Sequence, residues 1–224
     1  MSDLPENPLT VVIPAYNEEE TVESVINTVL NTPLVGEVVV VNDFSKDKTK
    51  EIVEEMVRKE PRITFISHEQ NQGKGAALRT GFQHATLPFV IVQDADLEYD
   101  PSEFERVVRP LIDDKCDVCY GSRYLKNNPR RVLQFWHTMG NRFLTTLSNM
   151  ATNLHVTDME TCYKLFKTEM IQSLSLKENR FGFEPEVTGK ISRIPKVRIY
   201  EVGISYYGRT YEDGKKIGAA DGFR

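Results

Sequence analysis

Phe89-Val-Ile-Val-Gln-Asp94-Ala95-Asp96-Leu-Glu98 is a short apolar run that ends on two carboxylates. An unbroken Val/Ile run of this length reads as a strand buried on both faces, the kind found in a parallel sheet covered by helices. Side chains alternate along a strand, so Asp94 and Asp96 are expected on one face at its carboxyl end. Two hard oxygen donors so placed suit Mg2+ or Mn2+ held against a diphosphate. Asp-x-Asp also recurs by chance in acidic loops, so the assignment leans on the segments around it.

Those segments repeat one pattern. Apolar runs over 9–13, 37–41, 63–66, 89–92 and 118–120 read as strands, and the stretches 18–30, 46–58, 76–85 and 101–112 between them are helical in composition. The last helix opens with Asp100 as cap and Pro101 in its first turn. Strands without alternation, separated by helices, predict an α/β fold with a doubly wound, mostly parallel sheet. Ligands bind such sheets beyond the carboxyl ends of the strands, so the polar loops 14–18, 42–47 and 93–98 are expected to converge on one crevice.

The chain has 224 residues, 40% hydrophobic and 27% charged, enough for one globular domain with a sizeable core. No run approaches the ~20 apolar residues of a membrane span, and the start lacks a signal-peptide pattern; a cytoplasmic protein is expected. Three cysteines suit a reducing compartment, and Cys116-Asp-Val-Cys119 lies in a strand-like run with no second pair to complete a zinc site. The net charge of −5 hides a local reversal: between residues 121 and 157 there are five basic residues (Arg123, Lys126, Arg130, Arg131, Arg142) and no acidic one. That block suits a phosphate or anionic headgroups, with an ordinary solvated basic loop as the plain alternative. An acidic chain without a nucleic-acid module argues against nucleic acid.

Past Ser122 the pattern changes. Trp136, Met139, Phe143, Leu147, Met150 and Leu154 recur at helical spacing, a stripe that is expected to pack on the core, with an interfacial membrane role as the lesser reading. The polar, glycine-bearing stretch 207–216 reads as a mobile loop or lid. The chain thus divides into a regular half over 1–122 and a differently patterned half over 123–224.

Val12-Ile-Pro-Ala-Tyr-Asn-Glu18, Asn42-Asp43-x-Ser45-x-Asp47-x-Thr49, Asn71-x-Gly73-Lys74-Gly75, Asp94-Ala-Asp96-Leu and Gly121-Ser-Arg123-Tyr stand in the order and spacing of family-2 inverting glycosyltransferases with the GT-A fold. With Thr157-Asp158-x-x-Thr-Cys-Tyr-Lys-x-Phe166 and a late Arg209…Lys215 pair, the chain resembles the dolichyl-phosphate mannose synthase and polyprenyl-phosphate glucosyltransferase branch over roughly residues 9–218. The resemblance implies that Pro14, Ala15, Tyr16 and Glu18 border the nucleoside, that Asp43 reads the base, and that Asp94, Ala95 and Asp96 hold the diphosphate. Asp43 has a second reading as cap of the following helix, a job open to Ser45 as well. Asn42 departs from the paired Asp often seen there. Lys74 is a weaker nucleotide contact: Gly73-Lys74-Gly75 lacks both the dinucleotide and the Walker A spacing, and reads first as a turn opening a helix. Asp94, Asp96 and Glu98, the last standing where this branch often has Gln, are the implied ligands of Mg2+ or Mn2+.

A hydroxyl acceptor needs a carboxylate base, whereas a polyprenyl phosphate, with a second pKa near ~6, is already an anionic nucleophile. The resemblance makes 1–122 the nucleotide-sugar-binding half and 123–224 the acceptor-side half. There Arg123, Arg209 and Lys215 are the cations expected to receive the phosphate, with Arg130, Arg131 and Arg142 as further candidates. Asp158 orients a cation or the sugar, or acts as base for a hydroxyl. The resemblance thus implies metal-dependent hexosyl transfer from a GDP- or UDP-hexose to a polyprenyl or dolichyl phosphate at the cytoplasmic membrane surface, directly or through a membrane-anchoring partner protein. Transfer to a saccharide hydroxyl and a non-catalytic nucleotide-sugar-binding scaffold stay open. His137, His155 and Ser122 read as packing or surface groups.

Overall fold

The computed structural model describes residues 5–125 and 134–208. The sheet has the order β3-β2-β1-β4-β6-β5-β7, with β1 (Leu9–Ala15), β2 (Val35–Asn42), β3 (Ile63–Ser67), β4 (Phe89–Val92), β5 (Val118–Ser122), β6 (Lys164–Lys167) and β7 (Ile199–Gly203). Strands β3, β2, β1 and β4 run parallel, as do β5 and β7. β6 is antiparallel to both β4 and β5 and joins the two halves.

The five strands expected from Val/Ile runs are all present, and β1 and β2 extend past the predicted ends. β6 escaped the pattern because a lysine stands at each end of its four residues. Lys164 is nevertheless buried, its ammonium donating to the Thr161 carbonyl and lying 5.1 Å from the Tyr120 ring centroid. A cation satisfied in this way sits in a central strand that hydropathy does not reveal.

Helices α1 (Val22–Leu30), α2 (Thr49–Lys59), α3 (Lys74–His84), α4 (Phe104–Ile112), α5 (Phe135–Thr152), α6 (Thr168–Ser173) and α7 (Phe183–Ile191) flank the sheet. α1 buries Val22, Val25, Ile26 and Val29, a single stripe worth about 1.5–3 kcal/mol per fully buried side chain. Asp100 caps the turn that precedes α4, accepting from Ser102 N at 2.9 Å, with Pro101 directly behind it. α2 begins at Thr49 and not at 46, and Asp47 accepts from Thr49 N at 3.0 Å there, a role the sequence reading gave to Asp43 or Ser45. Cys116, Cys119 and Cys162 are buried free thiols.

α5 overturns one expectation. Its apolar stripe does not pack on the core: Trp136 is 81%, Met150 77% and Phe143 62% exposed, with Met139 and Leu147 also on the surface. Only Leu154, past the helix end, packs against the core. Periodicity reports that one face is apolar and says nothing about what that face meets.

Candidate active site

β1 has β2 and β4 as parallel neighbours, with Ala15 level with Asn42 and Val12 level with Val92. Loops 14–18, 42–47 and 93–98 therefore leave one edge of the sheet. Cross-loop bonds join them. Asn17 N donates to Ser45 Oγ at 3.0 Å, and Glu18 N to Thr49 Oγ1 at 2.8 Å. The Thr21 hydroxyl lies 2.6 Å from the Ala95 carbonyl and 3.0 Å from Glu18 Oε2. The predicted convergence is a bonded framework.

Within it, Tyr16 is 43% exposed at the lip and offers a ring face for stacking, with Pro14 half-buried behind it. Ala15 and Ala95 are buried, which leaves their backbone as the part able to meet a ligand. Asp43, expected to read the base, makes contacts within the chain. Buried, it accepts from Gln72 N (2.9 Å), Gly73 N (2.7 Å) and His68 Nδ1 (2.8 Å), and so pins the loop that opens α3. Gly73 is required in that loop: its φ is +98°, and an added Cβ would meet Asn179 O at 2.4 Å.

The two aspartates lie in a turn beyond β4, with Leu97 at φ 61°, so strand alternation does not set their directions. Asp94 accepts from Lys74 Nζ, 2.7 Å from Oδ1 and 3.0 Å from Oδ2. Burial would strip the Lys74 proton, but the Asp94 carboxylate beside it holds its pKa well above the ordinary lysine value. Asp96 Oδ1 accepts from Glu98 N at 3.1 Å. Glu98, an expected metal ligand, receives the Tyr206 hydroxyl at 2.6 Å, and its carbonyl receives Tyr207 N at 2.9 Å. Burial and that carboxylate push the Tyr206 phenol pKa up, so it stays a donor.

No group of three or more His, Cys, Asp or Glu converges among the described residues. The donor set fits a hard cation all the same, since Mg2+ takes one or two carboxylates and fills its shell with water and phosphate oxygens. Asp96 and Asp94, the latter bonded to Lys74, are the residues that would hold it.

Past the end of β5, Arg123 and Asp158 form a buried bidentate pair. Arg123 Nε and Nη2 each lie 2.7 Å from an Asp158 oxygen, and Arg123 N donates to the same carboxylate at 3.0 Å. Asp158 is 0% exposed, with both carboxylate oxygens bonded to Arg123. Arg123 also stacks 5.2 Å from the Tyr206 ring centroid. Arg209 and Lys215, and the basic residues Lys126, Arg130 and Arg131, lie outside the described residues.

Four supporting residues were missed. Buried Gln93 donates to the Asp94 carbonyl at 3.0 Å and accepts from Tyr163 at 2.6 Å, which fixes the start of the acidic turn. The signal was there, a lone amide inside an apolar run. Tyr206 gave none, since it reaches Glu98 from 108 positions away. Glu184 stands 3.9 Å from Lys74, and its buried Oε2 has no hydrogen-bond partner among the described residues. Glu160, beside it, has its carboxyl pushed up to about 7, first by burial and then by Glu184.

Three polar loops bonded together beyond the parallel strands β1, β2 and β4, with a buried arginine–aspartate pair in the other half of the sheet, frame the candidate site. The chain belongs to the family described as Glycosyl transferase family 2, which matches residues 10–175, and it is a glycosyltransferase. It is similar to the UDP-N-acetylglucosamine–dolichyl-phosphate N-acetylglucosaminyltransferase of Methanococcus voltae, 26% identical over 231 residues, 96% of this chain and 91% of that one. The dolichol-phosphate mannosyltransferase of Pyrococcus furiosus is 28% identical over 217 residues, and the match spans 93% of this chain but 60% of that longer protein. Among solved structures, glucosyl-3-phosphoglycerate synthase of Mycobacterium tuberculosis matches with TM-score 0.73 and 21% identity over 96% of this chain and 75% of that one. The same enzyme in complex with Mn2+, UDP and phosphoglyceric acid gives TM-score 0.71 at 22% identity, with 92% and 73% covered. At that identity the likeness is one of fold, and the expected GT-A architecture is present.

Proposed function

We propose that the protein transfers a hexosyl unit, with inversion, from a nucleoside-diphosphate sugar to a polyprenyl or dolichyl phosphate at the cytoplasmic face of a membrane. The observation that carries this reading is the state of Asp158. Asp158, for which orienting a cation and acting as base were both open, bonds Arg123 through both oxygens, which supports a positioned cation where a hydroxyl acceptor would need a base. An acceptor phosphate arrives already ionised and needs charge compensation more than deprotonation. The relatives named for dolichyl phosphate support the same acceptor class.

In this mechanism Tyr16 and Glu18 hold the nucleoside at the lip, and Lys74, anchored by Asp94, faces the donor phosphates. A divalent cation held by Asp96, with Asp94 beside it, would neutralise the charge that gathers on the departing diphosphate. A phosphate oxygen of the acceptor forms its bond to the anomeric carbon from the face opposite the leaving group. The carbon–oxygen bond to the donor diphosphate breaks, and the nucleoside diphosphate departs with the electron pair. Arg123 lowers the repulsion as one anion approaches the other, and Asp158 fixes its guanidinium in place.

A second reading has one observation behind it. Glu160, with its carboxyl near neutral pKa at about 7 beside Arg123 and Asp158, has the proton affinity of a general base for a saccharide hydroxyl. Incubation with Mn2+ and a set of GDP- and UDP-hexoses, with a short polyprenyl phosphate or an oligosaccharide as acceptor, separates the two. Product that requires the lipid phosphate supports the proposal; product with the oligosaccharide alone transfers the assignment to Glu160-assisted chemistry.

A further inference from the structure

α5 is built inside out. Asn141, Thr145 and Asn149, four residues apart, form its inner face. Asn141 Nδ2 donates to the Tyr124 hydroxyl at 3.2 Å, Thr145 Oγ1 accepts from Met159 N at 3.2 Å, and Asn149 bonds both Val156 O (2.8 Å) and Val156 N (3.1 Å). The helix is thus bolted by polar side chains to the loop that carries Asp158. Its outer face holds the large apolar groups: Phe135 (66% exposed), Trp136, Met139, Phe143, Leu147 and Met150. At 3.6 residues per turn the two faces are centred about 140° apart. A soluble helix buries its apolar stripe and shows its amides; this one does the reverse.

Charge indicates what meets that stripe. α5 contains no Asp or Glu and sits in the stretch 121–157, which has five basic residues and no acidic one. A groove of about 530 Å³ along its flank is lined by Arg142 and His155 among threonine, asparagine and apolar groups, without a carboxylate. Two copies pressed stripe to stripe would bring these cations together, whereas an anionic surface is attracted by them. At the amino end Phe135 and Trp136 contact edge to face, centroids 5.1 Å apart, the ring types that favour the headgroup level of a bilayer. No helix among the described residues is long and apolar enough to cross a membrane, so the stripe would lie along the surface.

We propose that α5 is the membrane-docking element, seated in the headgroup layer of an anionic bilayer with its apolar face down and Arg142 against lipid phosphate. The proposal deepens the lipid-phosphate reading and rests on it for its purpose, since the same helix would hold the Arg123–Asp158 side of the site against the layer from which the acceptor arises.

The test uses the full chain, whose single tryptophan is Trp136. Its emission and the protein's sedimentation are followed against vesicles of phosphatidylcholine alone and of phosphatidylcholine with an equal part of phosphatidylglycerol. A blue shift and co-sedimentation with the anionic vesicles are expected. The doubly substituted Phe143→Ser, Met150→Ser protein should bind at least about tenfold more weakly. Arg142→Glu should weaken binding to the anionic vesicles selectively. Transfer to a water-soluble short-chain acceptor should persist in the double variant, because Phe143 and Met150 lie on the surface. The proposal is overturned if the protein ignores both vesicles, if the double variant binds as the parent does, or if Trp136 shifts with protein concentration in the absence of lipid, which would place a second copy on the stripe. Vesicle binding is scored without turnover, so intact binding with no lipid-dependent product would count against the acceptor reading alone.

Discussion

Arg123 and Asp158 meet through two 2.7 Å hydrogen bonds in a place where Asp158 has no exposed surface. Burying the two charges costs solvation, and the bidentate geometry with the added backbone bond offsets it. Removing one partner strands the other. Asp158→Ala is expected to lower unfolding free energy by about 3–5 kcal/mol, measured by urea denaturation. A loss below about 1 kcal/mol would show that the pair is not structural and would return Asp158 to consideration as a base.

Asp96 carries a separate prediction, because it lies in the acidic turn and not in the core. Asp96→Asn should abolish Mn2+-dependent turnover while leaving the thermal unfolding midpoint within a few degrees of the parent. Most of the activity surviving the change would contradict the metal assignment.

Glu160 gives stability a pH dependence. Its folded pKa of about 7 lies above the ordinary value of 4.5, because burial and Glu184 disfavour the charged form. A raised carboxyl pKa is a penalty that is absent below pH 4.5, grows as pH rises, and is complete above pH 7. Glu160→Gln should therefore stabilise the fold at pH 8 by an amount on the order of 3 kcal/mol at most, and by almost nothing at pH 4. Denaturant titrations at the two values check this, and a stabilisation larger at pH 4 would reverse the assignment.

Arg209 and Lys215, outside the described residues, are proposed from sequence as acceptor-side cations. Reversing both charges should raise the acceptor KM far more than the donor KM. Equal effects on the two would move these residues to the diphosphate.

The half of the fold over 1–122 was legible because its signals are local. Val/Ile runs mark strands β1 to β5, and the polar loops after β1, β2 and β4 must share an edge once those strands are parallel. What the sequence hid depends on long-range pairing. β6 has lysines at both ends, and its burial rests on contacts with Thr161 and Tyr120. Asp43 reads as a base contact or a cap, and its partners within the chain, Gln72, Gly73 and His68, become visible only when the loops are folded together. Glu98 is claimed by Tyr206, and Asp94 by Lys74, through contacts that no motif spells out. α5 shows the same limit from the other side, since its stripe was visible while its outward direction was not.

The central claim is that the acceptor's nucleophile is a phosphate oxygen. The most direct measurement compares the rate of hexosyl transfer to a short polyprenyl phosphate with that to the corresponding polyprenol, under one donor and one metal concentration. The account predicts product from the phosphate and none above background from the alcohol. Comparable transfer to the alcohol, lost in Glu160→Gln, would contradict it.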